Sequence, residues 1–253
     1  MDQKIALFNY SVRIADSSLV LAQRMCEWCG HGPVLEEDIA MSNMGLDLLG
    51  QARGFYAYAA ELEGKGRTED DIAFHRNERE FFNRSMVEQP NTDFGYTMMR
   101  AFLFGCASYL QFRALTKSAD ETISGLAEKA LKEVTYHVRH SSQWVIRLGD
   151  GTEESNKKVK FALEDLWHFT NELFEMDEVD QLLIEKNITF DLTLLRAEWD
   201  NMVNEVLAKA KLERPAVGGY QSKGGIRGIH TEHLGYILSE MQYLPRAYPD
   251  AIW

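Results

Sequence analysis

The sequence predicts an all-α protein: an up-down helical bundle with additional short helices. Three observations predict it. Apolar residues recur at steps of three and four over long stretches, as one face of a helix requires. Gly and Pro, the latter only five in 253 residues, fall at the joints between those stretches. Leu, Ala, Glu, Met, Lys and Arg dominate within them, and these side chains lose little rotamer freedom in a helix.

The elements follow in order. Phe8, Val12, Ala15, Leu19, Ala22, Met25 and Cys29 form one stripe on a first helix ending near Cys29, where Gly30 stops it and Pro33 prevents its resumption. A second long helix spans about Leu35 to Leu62, its stripe Ile39, Ser42, Leu46, Leu49, Arg53, Tyr56 and Ala60, and Gly64 and Gly66 end it. A third stretch runs from about Asp70 to Val87 and breaks at Gln89-Pro90-Asn91. Helices from about Asp93 to Leu115 and Asp120 to Leu148 come next, the latter closed by Gly149 and Gly151. A sixth starts after Thr152 and continues to Glu175; a short one covers Glu178 to Lys186. Asp191 N-caps a helix to about Leu212, Glu213 to Ile229 is irregular, and Thr231 opens a last helix towards Tyr248. Long helices with short breaks make an up-down bundle. No repeat or composition shift marks a boundary, so residues 1–253 are read as a single helical domain.

The formal net charge of −12 sets such a surface against phosphate backbones and anionic lipid, so neither nucleic acid nor membrane is expected as a partner. Met1-Asp2-Gln3-Lys4 begins no signal-like run, and no window approaches ~20 uninterrupted apolar residues. Three cysteines, an odd number, argue against a disulfide framework, and a cytoplasmic location is expected.

A large helical bundle raises the question of a di-iron carboxylate site. That site takes a Glu from each of two helices and Glu-x-x-His from each of two others, because residues three apart share a helix face. Of the seven histidines, only His168 has a carboxylate three residues before it, the shorter Asp165. The second helix holds no histidine; Asn43, Asp47 and Gln51 stand there as a polar strip. The paired site cannot be assembled from these parts. Glu133, His137 and His140, at i, i+4 and i+7, remain as candidates for a single ferrous ion, in an enzyme acting in its own right. Hydrogen bonds to neighbouring helices or a partner chain are the plainer reading, and no metal or other cofactor is assigned to the chain.

Cys26-Glu27-Trp28-Cys29 matches C-x-x-C at the end of a helix, where the dipole disfavours a thiolate, and is read as buried small residues. The Gly-rich segment 218–228 matches no phosphate-binding pattern and is read as a mobile loop that orders against a partner. His230-Thr231-Glu232-His233 lacks zinc-protease spacing. Phe74, Phe81 and Phe82 are expected in the core, and the acidic runs at 36–38 and 69–71 in solvated first turns.

Several stretches, in order from end to end, resemble the C subunits of multicomponent phenylacetyl-CoA epoxidases. They are Glu27-Trp28-Cys29-Gly30-His31, the run from Met44 to Arg53, Val87-Glu88-Gln89-Pro90-Asn91, the run from Lys132 to His140, His230-Thr231-Glu232-His233-Leu234-Gly235, Glu240-Met241-Gln242-Tyr243-Leu244, and Trp253. The resemblance implies a ferritin-like bundle and a non-catalytic structural subunit. It implies pairing with a catalytic A subunit that carries the di-iron centre, together with a small B subunit and, indirectly, a flavin and iron–sulfur reductase supplied by NADPH. The complex would epoxidise the aromatic ring of phenylacetyl-CoA. A free-standing helical binding protein is the other alternative. In a bundle that has lost its ligands, Asn43, Asp47 and Gln51, with Asp165 and His168, are expected to fill the polar interior.

Overall fold

A computed structural model describes residues 1–216, 218–249 and 251; Trp253 lies outside the described residues. Among them are ten α-helices, six 3-10 turns and no strand. The frame is made by α1 (Gln3–Cys26), α2 (Leu35–Glu63), α4 (Phe94–Leu115) and α5 (Glu121–Gly149). Short α3 (Glu69–Phe74) lies in the connection between α2 and α4. At 29 residues each, α2 and α5 are about 44 Å long at 1.5 Å per residue.

Side-chain pairs fix the directions. Gly45 of α2 sits against Cys26 at the end of α1, and Trp28 just beyond donates to Thr97 near the start of α4 at 3.0 Å. At the other end Tyr58 donates to Asp120, the N-cap of α5, at 2.6 Å. So α2 and α4 run the same way, and residues 64–93 must cross the length of the bundle. One long crossover in an otherwise up-down bundle is the ferritin-like connection.

Two cores result. The first fills the space between the four long helices, with Tyr10, Val12, Met25, Met41, Met44, Phe55, Phe112 and Val134. The second lies outside α4 and α5, under α6 (Glu153–Leu166) and α8 (Arg196–Lys209), around Trp199, Trp167, Phe102 and Leu163. α7 (Glu178–Glu185) closes one flank of α1, where Arg13 reaches Asp177 at 2.5 Å and Asp180 at 3.1 Å. The chain ends in α9 (Glu232–Met241) and α10 (Tyr243–Ala247), two helices where the sequence predicts one. α1 is long and apolar enough to cross a membrane by composition, and most of that stretch is buried in the bundle.

Three sequence expectations need correction. The stretch 70–87 is not one helix: after α3 there are only 3-10 turns at Glu78–Glu80 and Ser85–Glu88. Backbone N–H groups that a helix would use are taken by α1 instead, Phe82 donating to Asp16 at 2.7 Å and Arg84 to Ser17 at 3.2 Å. The sixth helix stops at Leu166, and 3-10 turns follow at Trp167–Phe169 and Glu172–Phe174. On α2 the buried face is Met41, Met44, Leu48, Ala52, Phe55 and Ala59. Of the stripe read from the sequence, Ile39 and Leu46 are 51% and 63% exposed, and Arg53 is also outside. α2 is apolar on two faces, and periodicity alone selected the outer one.

Candidate functional site

The place to look for chemistry is the centre of the bundle, where four facing helices would present metal ligands. The positions that line it are Ser17 and Ser18 of α1, Met44, Leu48 and Gln51 of α2, Gly105 and Ser108 of α4, and Val134 and His137 of α5. The one carboxylate on the same wall is Asp180, which is already held by Arg13. Two irons need four carboxylates and two imidazoles, and this donor set does not fit that centre. Among the described residues no group of three or more His, Cys, Asp or Glu side chains is placed to hold a metal ion.

The groups proposed for a single ion are instead joined to α2 one by one. Gln51 Nε2 donates to Glu133 at 2.9 Å, and His137 Nε2 meets Asp47 at 3.0 Å. His140 Nε2 lies 3.0 Å from Glu37, which also accepts from Trp144 at 2.8 Å. The His140–Glu37 pair has the separation of an ion pair, but the nitrogen points poorly at the carboxylate and makes no directed hydrogen bond. With Tyr58–Asp120, these pairs form a polar seam along antiparallel α2 and α5. Desolvation pushes both imidazoles below the ordinary value, outweighing the attraction of Asp47 and Glu37, while burial pushes the Glu133 carboxyl up.

The remaining polar candidates separate. Asp47 and Gln51 belong to the seam. Asn43 is exposed, one turn before Asp47 but rotated outwards, and does not help to fill the interior. Asp165 is exposed and accepts from Tyr96 at 2.7 Å; His168 stacks on Phe169 with ring centroids 3.9 Å apart. Both sit on the α6 side, under the second core, so the one near-match to Glu-x-x-His is not at the bundle centre.

Buried carboxylates do occur, and each is met by donors of this chain. Asp16 of α1, 0% exposed, accepts from Tyr56 at 2.5 Å and from both terminal nitrogens of Arg76. Glu88, also 0% exposed, accepts from Asn83 at 2.8 Å, from Thr231 N and Oγ1 at 2.9 and 2.6 Å, and meets His230 Nδ1 at 2.6 Å. Burial opposes charge on His230, but Glu88 and the Phe81 carbonyl outweigh it and its pKa is raised. Glu172 accepts from Ser85 N at 2.9 Å and Gly225 N at 2.8 Å. These acids escaped the sequence reading. The signal was present only for Asp16, a charge beside the Val12–Ala15–Leu19 stripe.

The other motifs resolve similarly. α1 ends at Cys26, so Cys29 lies exposed in the following turn and is not a buried small residue. Burial pushes the half-buried Cys26 thiol up, away from reactivity. The later part of the Gly-rich segment packs on its own chain, while Gly218 to Tyr220 are exposed: Gly224 and Gly225 donate to Glu175 and Glu172, both at 2.8 Å, so those N–H groups face internal carboxylates. Gly225 has no room for a Cβ, which would strike the Asn83 carbonyl. The structure also joins separate stretches of the sequence resemblance. Asn91 donates to Glu27 at 2.8 Å, Glu88 binds His230 and Thr231, and Asp47 and Gln51 bind His137 and Glu133.

The sequence profile of a family described as "Phenylacetic acid catabolic protein" matches residues 1–253. A curated relative, the C subunit of the 1,2-phenylacetyl-CoA epoxidase of Escherichia coli (strain K12), is 47% identical over 247 residues, covering 98% of this chain and 99% of the relative.

Proposed function

The chain belongs to the phenylacetic acid catabolic protein family, and from that premise we propose that it is the C subunit of a 1,2-phenylacetyl-CoA epoxidase, a structural subunit rather than the catalytic one. The near full-length likeness to a subunit of that name supports the assembly. The bundle centre supports the role: one imidazole, His137, and one carboxylate, Asp180, already held by Arg13, stand among serines, a glutamine and apolar side chains where two irons would need four carboxylates and two imidazoles. On this reading the di-iron centre and the substrate belong to a catalytic A subunit in the cytoplasm. A small B subunit and a reductase complete the complex. A net charge of −12 fits that division, since it disfavours an anionic CoA ester on this chain.

The outer face of α2 supports a permanent partner. Leu35, Ile39 and Leu46 are 72%, 51% and 63% exposed, on one side of the helix. Permanent interfaces commonly bury ~2,000–5,000 Å² with apolar centres, and an apolar stripe on so long a helix suits one. Co-expression of the tagged chain with its A subunit tests the role. The expected result is a stable complex that contains iron and epoxidises phenylacetyl-CoA. An A subunit fully soluble and active without this chain rejects it.

A further inference from the structure

The four long helices, with Arg84, Leu173, Asp180 and Leu192 at one side, line a cavity of about 60 Å³. It runs along the bundle axis from Met25 and Met44 towards Tyr10 and Gln111. Its middle lies where a carboxylate bundle gathers its metals. The polar groups there are two hydroxyls, an amide and an imidazole, from Ser18, Ser108, Gln51 and His137. Towards Gln111 the wall includes Arg13. Asp177 and Asp180 hold the terminal nitrogens of Arg13, whose Nε has no surface open to the cavity, and Arg84 beside it donates to the Glu172 and Glu175 carbonyls.

A buried donor without an acceptor is costly, and such groups are met by protein or by ordered water. An apolar occupant would leave the Ser18 and Ser108 hydroxyls without a partner. An anion drawn to Arg13 and Arg84 would meet Asp180 on the same wall and guanidinium nitrogens already held by Asp177, Asp180 and the Glu172 and Glu175 carbonyls, and among the described residues a cation would find no set of acidic ligands. Water both donates and accepts. We propose that this cavity binds a cluster of ordered water molecules, bridging Ser18, Ser108 and Gln51 where a metal-loaded bundle would place its ions. That volume is well above the roughly 10–15 Å³ needed to admit one water molecule, so the cavity has room for more than one. This water completes the hydrogen bonding of the core without a metal, and it does not depend on the identity of the partner chain.

The test is a high-resolution crystal structure of the full chain, native and under xenon pressure. Ordered water peaks within hydrogen-bond reach of Ser18, Ser108 and Gln51, with no xenon, are expected. Xenon in the cavity without water density, or an anomalous metal peak there, overturns the proposal. In solution, oxygen-17 relaxation dispersion counts long-lived internal waters. Ser18→Val and Ser108→Val should each lose part of that count, and an unchanged count in both overturns it. Should either variant fail to fold, the wild-type crystals decide alone. A dry cavity leaves capture of the A subunit untouched, so the two readings fail separately.

Discussion

Asp47 and His137 meet across the seam between α2 and α5. The carboxylate is partly exposed and the imidazole buried, so removing the carboxylate strands the ring nitrogen more than it frees a charge. Asp47→Ala is expected to destabilise the fold by about 1–3 kcal/mol, the usual cost of an unpaired buried group, and to leave metal content unchanged. A thermal melt with metal analysis checks it. Glu88 is the harsher case, because His230, Thr231 and Asn83 all depend on one fully buried carboxylate. Glu88→Ala should cost about 3–5 kcal/mol by denaturant titration, since breaking a buried pair leaves its partner uncompensated. Few of these pairings were legible at residue scale. Sequence spacing says which side chains share a face, but whether a histidine meets a metal or a carboxylate depends on the neighbouring helix. Glu133, His137 and His140 share one face of α5, and α2 supplies a different partner for each.

At the scale of elements, two contacts respond to pH with opposite signs. His137 and His140 have lowered pKa values, so the fold favours their neutral forms. Their contribution is present above the ordinary imidazole value of about 6.5 and is lost as pH falls through the lowered values. His230 is raised, so the Glu88 contact contributes below about 6.5 and fades as pH rises through its folded value. The α2–α5 seam should therefore loosen in acid and the C-terminal segment in base. Denaturation midpoints from pH 5 to 8 check this. His137→Gln should flatten the acid limb and His230→Gln the alkaline limb. Helix starts were legible near Asp93 and Asp120, which accept from Tyr96 N and Ile123 N, whereas Asp191 caps a 3-10 turn at Leu192–Leu195 and α8 begins only at Arg196. The segment 70–87 was not legible, because α1 supplies the acceptors that displace its helix.

For the whole molecule, the bundle could be read from period and breaks, while the orientation of α2 could not, since a helix apolar on two faces has no single moment to follow. Its outer stripe makes a further prediction. Changing Ile39 and Leu46 to Glu should leave the melting temperature of the isolated chain within a few degrees, because both side chains are already exposed. The same change should abolish co-purification with the A subunit; unimpaired capture would move the interface elsewhere.

Whether this ferritin-like chain itself holds the irons is decided by metal analysis of the isolated chain beside its complex with the A subunit. Iron in the complex and only trace iron in the chain alone are expected. Stoichiometric iron in the isolated chain, lost when His137 is changed to Ala, would contradict a purely structural role.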